Sequence, residues 1–432
     1  MRKNKTMLMK RLQELESKNE DINIGVVGAG RMGTGLIVQI GKMKGLSVRA
    51  VSDIYLEKAT SALQIMRSER KLITTSNIDE AETAISDGSI VVTPNSSILP
   101  QLSELDLIVD ATGSPEVGAE IAQESIRQGK SVVMLNAEAD ATIGPILNHY
   151  ASTCGVVYTG ASGDEPGATK ELYDFATTLG FRVIAAGKGK NNPLDRTATP
   201  GSLETIARQK GLDPKMLTSF VDGTKTMVEM TQLANATGLK PDIRGMHGPE
   251  TTVDRISHVF CTKKNGGILE TEGAVDFALG SVAPGVFVVF TMTESIIRSD
   301  LEYLGLGQGP NYHLYRPYHL CHIETPLCIA RAVIHKEPAI APIAGPVADV
   351  ITIAKRDLNL GERLDGIGGS TVFGLIERAE TARQINALPI GLTSNAVLKR
   401  NVLKGEVIRM DAVDIPDTQL TRLRREQDRR FG

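Results

Sequence analysis

Residues 22–53 read INIGVVGAGRMGTGLIVQIGKMKGLSVRAVSD, and this stretch constrains the fold more than any other. A short apolar run leads into Gly28, Ala29, Gly30, Arg31, Met32 and Gly33. A helical pattern (Leu36, Ile37, Ile40, Met43) and a second apolar run follow, and Asp53 lies 20 residues past Gly33. Each piece has a physical job in holding a dinucleotide. Gly28 permits a tight turn, Gly30 lets backbone approach a pyrophosphate, and Gly33 lets the helix pack close to the strand. The helix N-terminus, with Arg31 and Met32 in its first turn, offers unpaired N–H groups to phosphate. A carboxylate at Asp53 accepts the ribose hydroxyls of NAD(H) and repels a 2′-phosphate. The strand, helix, strand and acid all sit at the expected spacing, which favours a coenzyme site over an empty βαβ unit.

Strand-like runs then alternate with helical patterns: 47–51, 107–109, 131–135 and 155–158. This predicts an α/β domain, a Rossmann doubly wound parallel sheet spanning 21–160, with ligands at the carboxyl ends of the strands. Asp110, Ala111, Thr112 and Gly113 end one run and Asn136 ends the next. Ala111, Thr112, Gly113 and Asn136 are therefore expected beside the nicotinamide, a reading preferred over a plain helix cap and turn. Residues 1–20 are basic but also acidic and lack an apolar signal core, so a leading helix is expected rather than a targeting peptide.

At 432 residues with a net charge of −3, the chain is long enough for two or three domains and lacks the basic stripe of a nucleic-acid binder. Its longest apolar run, around 285–290, is too short to span a bilayer. Four scattered cysteines (Cys154, Cys261, Cys321, Cys328) form no CxxC pair. They read as small buried hydrophobes in a reduced, cytoplasmic protein. The expected partner is a small-molecule substrate, without nucleic acid or membrane.

From about residue 160 the texture changes, and 161–310 reads as an α+β substrate domain facing a cleft with the first. Residues 160–167 form a loop carrying Asp164 and Glu165, which could hold a divalent cation (Mg or Mn) or cap the helix that follows. A helix is expected over 170–179 and a strand over 181–186. Lys188, Lys190, Asn191 and Asn192 then lie in a glycine-bearing loop (GKGKNNP) suited to wrapping a phosphate or carboxylate. A helix begins after Asp222 and carries Lys225 and Glu229 four apart on one face. His247, Arg316 and His319 lie in glycine- or proline-marked loops, with Arg316 the best anion clamp. Residues 311–345 read as a return segment onto the first domain.

The tail, 346–432, contains a repeat: 355–364 (KRDLNLGERL) recur as 399–408 (KRNVLKGEVI), 44 residues apart. Each copy suits a small β-module. Its basic dipeptides read as a solvated strand edge in preference to an anion site.

Several motifs together resemble the 1-deoxy-D-xylulose-5-phosphate reductoisomerase-like (DRL) family. They are DATG (110–113), GDEP (163–166), AGKGKNNPL (186–194), DGTKTMVEM (222–230), NATGL (235–239), GMHGP (245–249), PGVFV (284–288) and RPYHL (316–320). The resemblance spans nearly the whole chain beyond the first twenty residues. It implies a homoserine-dehydrogenase-like scaffold and a small β-rich tail similar to the SAF, or β-clip, module. The implied activity is that of an NAD(P)-dependent oxidoreductase. It would rearrange a phosphorylated ketose to an aldehyde and reduce it, as in the conversion of 1-deoxy-D-xylulose 5-phosphate to 2-C-methyl-D-erythritol 4-phosphate for isoprenoid biosynthesis. A dimer or tetramer is implied as well. In this picture Lys225 assists proton transfer, Glu229 orients or binds metal, and Lys188 and Lys190 hold the substrate anion.

Two departures matter. NADP(H) would want serine and arginines after the second strand, where this chain has Ser52, Asp53, Ile54 and Tyr55. Lys225 and Glu229 are transposed relative to the acid and lysine of the homoserine-dehydrogenase helix. An NAD-linked catabolic oxidoisomerase of a branched sugar acid therefore stays open, as do a homoserine-dehydrogenase-like enzyme and a non-catalytic NAD-binding protein.

Overall fold

The computed structural model describes residues 7–432 and divides the chain into two compact units. The first comprises residues up to 164 together with 320–341; the second comprises 165–319 and 342–432. Residues 1–6 of the expected leading helix lie outside the described residues. Among the described residues no helix is long and apolar enough to cross a membrane.

The first unit opens with α1 (Leu8–Ser17), β1 (Ile22–Val27), α2 (Arg31–Ile40), β2 (Leu46–Ser52) and α3 (Leu56–Met66). It continues through β3 (Leu72–Thr74), α4 (Ile78–Ser86), β4 (Ile90–Thr93), β5 (Leu107–Asp110) and α5 (Pro115–Arg127) to β6 (Ser131–Met134), α6 (Ala137–Cys154) and β7 (Tyr158–Gly160). The seven strands form one parallel sheet in the order β3-β4-β2-β1-β5-β6-β7, so the order reverses at β1, which pairs with both β2 and β5. This is the doubly wound fold the alternation predicts. Its strands read as continuous apolar runs because helices cover both faces. Ile24, Val26 and Val48 pack with Leu36, Ile37 and Ile40 of α2, and Cys328 and Ile329 of α13 (Cys321–Ile334) complete the same core. The run expected at 155–158 forms a strand later, because 152–155 close the end of α6, where Gly155 takes the left-handed cap. That leaves Cys154 exposed, not buried as expected.

The second unit begins with α7 (Glu165–Thr178), β8 (Arg182–Gly189), α8 (Pro200–Lys210), α9 (Pro214–Val221) and α10 (Thr224–Thr237). Then come β9 (Lys240–Pro241), β10 (Glu250–Thr251), α11 (Ile256–Val259), β11 (Ala274–Gly280), β12 (Val286–Thr291), α12 (Ser295–Tyr303) and β13 (Asn311–Arg316). The strands form a mixed sheet in the order β10-β11-β8-β12-β13, with β9 beside β11. Residues 311–316 thus pair antiparallel with β12, and the segment that returns to the first unit starts at 320. Helix α10 is buried on nearly every side, which its small and apolar residues allow.

The tail supplies the antiparallel pair β14 (Ala348–Ala354) and β15 (Val372–Arg378), α14 (Ala379–Gln384), the short pair β16 (Val397–Leu398) and β17 (Val413–Asp414), and α15 (Gln419–Phe431). The two repeat copies lie antiparallel and bond to each other symmetrically. Leu358 N donates to Val402 O at 2.8 Å and Val402 N to Leu358 O at 3.0 Å. Gly361 N donates to Leu398 O while Gly405 N donates to Ala354 O, and Leu364 N to Ala396 O while Ile408 N donates to Thr352 O. Asn401 Oδ1 accepts from Leu360 N and Asp357 Oδ1 from Lys404 N, both at 2.8 Å. Every partner recurs at the sequence offset of the repeat, which describes a local two-fold. The asparagine and aspartate each accept a loop N–H group of the opposite copy.

Candidate functional site

In the first unit the glycine-rich turn has the anatomy its sequence implies. Gly28 adopts φ +95°, and a Cβ there would lie 2.8 Å from Ala111 O. A Cβ on Gly33 would lie 1.9 Å from Gly28 O, so only glycine lets α2 sit this close to β1. A Cβ on Gly30 would meet nothing within 4 Å, which leaves the turn open where a ligand would lie. Gly30 caps α2 without any side-chain hydrogen bond, and Arg31 and Met32 are exposed. The first-turn N–H groups therefore remain available to an anion. Asp53 closes the turn from the end of β2. Its Oδ2 accepts from Ala29 N at 2.8 Å and its Oδ1 from Tyr55 N at 2.9 Å. Both bonds fix the carboxylate and leave lone pairs over for hydroxyl donors.

At the ends of β5 and β6 the groups are turned inward. Asp110 is fully buried and accepts from Thr112 N, Thr112 Oγ1 and Asn136 Nδ2. Asn136 also donates to Ser114 O at 2.7 Å and caps α6 through Ala139 N, so its side chain is engaged inside the unit. Ala111 and Thr112 are half-buried, and Gly113 is exposed with φ +68°. Burial pushes the Asp110 carboxyl upward against the pull of its donors. Behind it Tyr158 Oη donates to the buried Asp140 at 2.7 Å.

In the second unit the charged groups converge on one lysine. Strand β8 runs on through Gly189, so Gly187, Lys188 and Gly189 belong to the sheet and not to the expected loop. The glycines are needed because a Cβ on Gly187 would lie 1.9 Å from Asp276 O and one on Gly189 2.2 Å from Ala283 N. Lys188, 5% exposed, is reached by two carboxylates from the helices beside β8. Glu165, in the first turn of α7 and not in the loop before it, places Oε1 2.5 Å from Lys188 Nζ, and Glu229 of α10 bonds the same ammonium. His319 Nε2 stands 3.4 Å from Glu165 Oε1.

The electrostatics follow from counting charges in a dry site. Burial alone would lower the Lys188 pKa, but Glu165 and Glu229 outweigh it and hold the ammonium above the ordinary lysine range. One lysine cannot neutralise two carboxylates. Burial and the Glu165 charge push Glu229 up to about 7, against the pull of Lys188 and Lys225. Lys225, half-buried one turn earlier on α10, thus acts on Glu229 as the spacing implies, and Lys188 bonds Glu229 from β8 as well. Lys190 is lowered to about 8 by burial and by Lys188. Its Nζ donates to the carbonyls of Asn192 and Phe220 at 2.9 and 2.6 Å, bonds that favour the charged form.

Asp164 is half-buried in the turn before α7, and Asn191 is exposed at the end of β8. Arg316 Nη1 lies 3.2 Å from Glu171 Oε2 and its guanidinium 4.6 Å from the Tyr318 ring. His247 Nε2 is 2.9 Å from Asp242 Oδ2, while its backbone N–H donates to Asp276. No sequence motif marks Asp276. It is fully buried on β11 opposite Gly187, accepts from the backbone of His247 and Gly248, and burial pushes it up to about 6. A single acid inside an apolar strand was the available signal. Lys355 of the first repeat copy is also buried, not on a solvated edge.

Fold and site together define a Rossmann-type unit joined in sequence to a mixed α/β unit built around a buried lysine–carboxylate centre. Residues 163–325 match the family model described as "oxidoreductase DRL, catalytic domain". That match is narrower than the near-full-length resemblance read from the motifs. No curated protein matches the sequence. Among solved structures, a probable dehydrogenase from Thermotoga maritima shows 13% identity, covering 74% of this chain and 92% of its own, with a TM-score of 0.44. The 1-deoxy-D-xylulose 5-phosphate reductoisomerase of Zymomonas mobilis, in complex with NADPH, shows 16% identity over 51% of this chain and 59% of its own, TM-score 0.37. The scyllo-inositol dehydrogenase of Lactobacillus casei, with NAD(H) and scyllo-inositol, shows 13% identity over 64% and 75%, TM-score 0.37.

Proposed function

We propose that this chain is a nicotinamide-dependent oxidoreductase acting on a small, anionic, polyhydroxylated carbonyl compound. The observation that carries the reading is the buried Lys188 held between Glu165 and Glu229, within the segment that matches an oxidoreductase catalytic domain. The open Gly30 turn and the uncapped start of α2 fit a coenzyme pyrophosphate, and Asp53 fits the adenosine ribose of NAD(H) better than the 2′-phosphate of NADP(H). When bound, the coenzyme supplies or accepts the hydride. The protein's part is the proton. Reducing a ketone or aldehyde to an alcohol requires one proton on oxygen, and oxidation releases it again. Glu229, at about 7, can pass that proton near neutral pH, and Lys188 can steady the alkoxide. Lys190 and Lys225 add positive charge suited to an anionic substrate, with Asn191, Asn192, Arg316, His247 and His319 the remaining candidates for its polar groups.

A phosphorylated ketose undergoing rearrangement and reduction is the substrate that the DRL motifs favour, and a branched sugar acid oxidised with NAD is the reading that Asp53 favours. A divalent cation at Asp164 and Glu165 belongs to the same reading, because Glu165 and Glu229 outnumber the Lys188 ammonium and leave negative charge for it. The assembly that goes with this reading is a homo-oligomer. The test is a fluorescence titration with NADH and NADPH followed by a hydride-transfer screen across ketose phosphates, aldonates and homoserine. Absence of binding by either coenzyme ends the proposal; a preference for NADPH removes the role given to Asp53.

A further inference from the structure

The two-fold of the tail is broken at one position. Lys355 opens the first repeat copy and Lys399 the second, yet their surroundings differ. The Lys355 side chain is 2% exposed, and its Nζ donates to Ala198 O and Gly369 O, both at 2.7 Å, and lies 2.8 Å from Asp222 Oδ2. The Lys399 side chain is 46% exposed, with Asp414 3.5 Å away. Asp222 Oδ1 accepts from Thr224 N at 2.8 Å, which sets the first turn of α10. From β15, Gly374 N donates to Thr224 Oγ1 at 2.9 Å. Two residues before Asp222, Phe220 O accepts from Lys190 Nζ. The turn 220–224 is therefore gripped by a lysine of the substrate centre on one side and by the tail on the other. The helix that leaves this turn carries Lys225 and Glu229.

We propose that Lys355 is a positioning residue for the substrate centre, acting through Asp222 to fix the start of α10 and the charge that Lys190 feels. The inference rests on the oxidoreductase reading of this centre. The repeat separates the two states of one lysine: an exposed cation at Lys399 and a buried anchor at Lys355. The fields are consistent. Asp222 and Glu229 favour the charged form of Lys190, and Lys188 opposes it. Asp222 also acts on Arg196, and Lys355 on Asp195. Removing the Lys355 charge unmasks Asp222, so Lys190 should hold its proton to higher pH.

The test compares Lys355→Met with Lys399→Met, the repeat serving as its own control. Lys190 is titrated by trace acetylation with acetic anhydride and mass spectrometry across pH, a readout that needs no turnover. Lys355→Met should move the Lys190 midpoint upward by about half a unit or more, and lower kcat about tenfold with unchanged NADH affinity. Lys399→Met should change neither. If Lys355→Met does not fold, Asp222→Asn/Lys355→Met removes both members of the buried pair, a change folds often tolerate. There the midpoint should fall below that of the wild type, because Asp222 favours the charged form of Lys190 even when paired with Lys355, and that field is lost. A Lys190 midpoint unmoved in whichever of these variants folds overturns the inference. A wild type that binds coenzyme but transfers no hydride to any substrate defeats the functional reading instead, and the labelling result stands apart from it.

Discussion

Lys188 shows what a residue can mean that its neighbours in sequence do not. The motif GKGKNN read as a flexible anion loop because glycines and amides usually turn the chain. Lys188 instead faces two glutamates, one 23 and one 41 residues away. The sequence marked the participants Lys188, Lys190, Lys225, Glu165 and Glu229 but not their pairing, since spacing along a helix speaks only for contacts within it. Lys188→Met should strand two buried carboxylates and cost about 3–5 kcal/mol in urea unfolding near pH 8. A cost under about 1 kcal/mol would show the trio to be solvated. Glu229→Gln tests the proton. The folded pKa of Glu229 is raised from 4.5 to about 7. Its contribution to stability is therefore full below about 4.5 and is lost as pH rises through 7, by up to about 3 kcal/mol. Unfolding free energies measured from pH 4.5 to 7.5 should fall in the wild type relative to Glu229→Gln, and parallel curves would place the titration elsewhere.

Among the elements, β1, α2 and β2 were legible because each is specified locally, by apolar runs, glycines and an acid at set intervals. Two glycines of that turn should respond oppositely to alanine. Gly33→Ala drives a Cβ to within 1.9 Å of Gly28 O and should cost about 2–3 kcal/mol, read by thermal unfolding. Gly30 has φ −68° and open space at its Cβ, so Gly30→Ala should fold as the wild type does yet bind NADH at least tenfold more weakly. Equal coenzyme affinity in the folded variant would move the pyrophosphate elsewhere. Strand β8 runs three residues beyond the end that its apolar run implies. Its last residues pair with β11 on one side and β12 on the other, and partners that far along the chain keep a glycine-rich segment extended.

On the scale of the whole molecule, the tail expected as a separate domain from 346 clusters with the second unit. Asn235, near the end of α10, accepts from Val347 N and Ala348 N at 2.8 and 3.0 Å, and Lys355 and Gly374 secure its beginning. A chain truncated after residue 345 should therefore fail to order α10, with loss of the cooperative melt of the second unit in calorimetry. A melt unaltered in that unit would make the tail an appendage. The sequence by itself determined the doubly wound sheet, the glycine turn, the acid at its rim and the existence of a repeat, because periodicity and backbone sterics act over a few residues. Only the tertiary structure decided that one lysine bonds two distant glutamates, that Asp276 is buried opposite Gly187 in the sheet, and that Lys355 alone of the repeated lysines is an anchor. Those outcomes depend on desolvation, which is a property of what surrounds a charge after packing and is not written in the residues beside it.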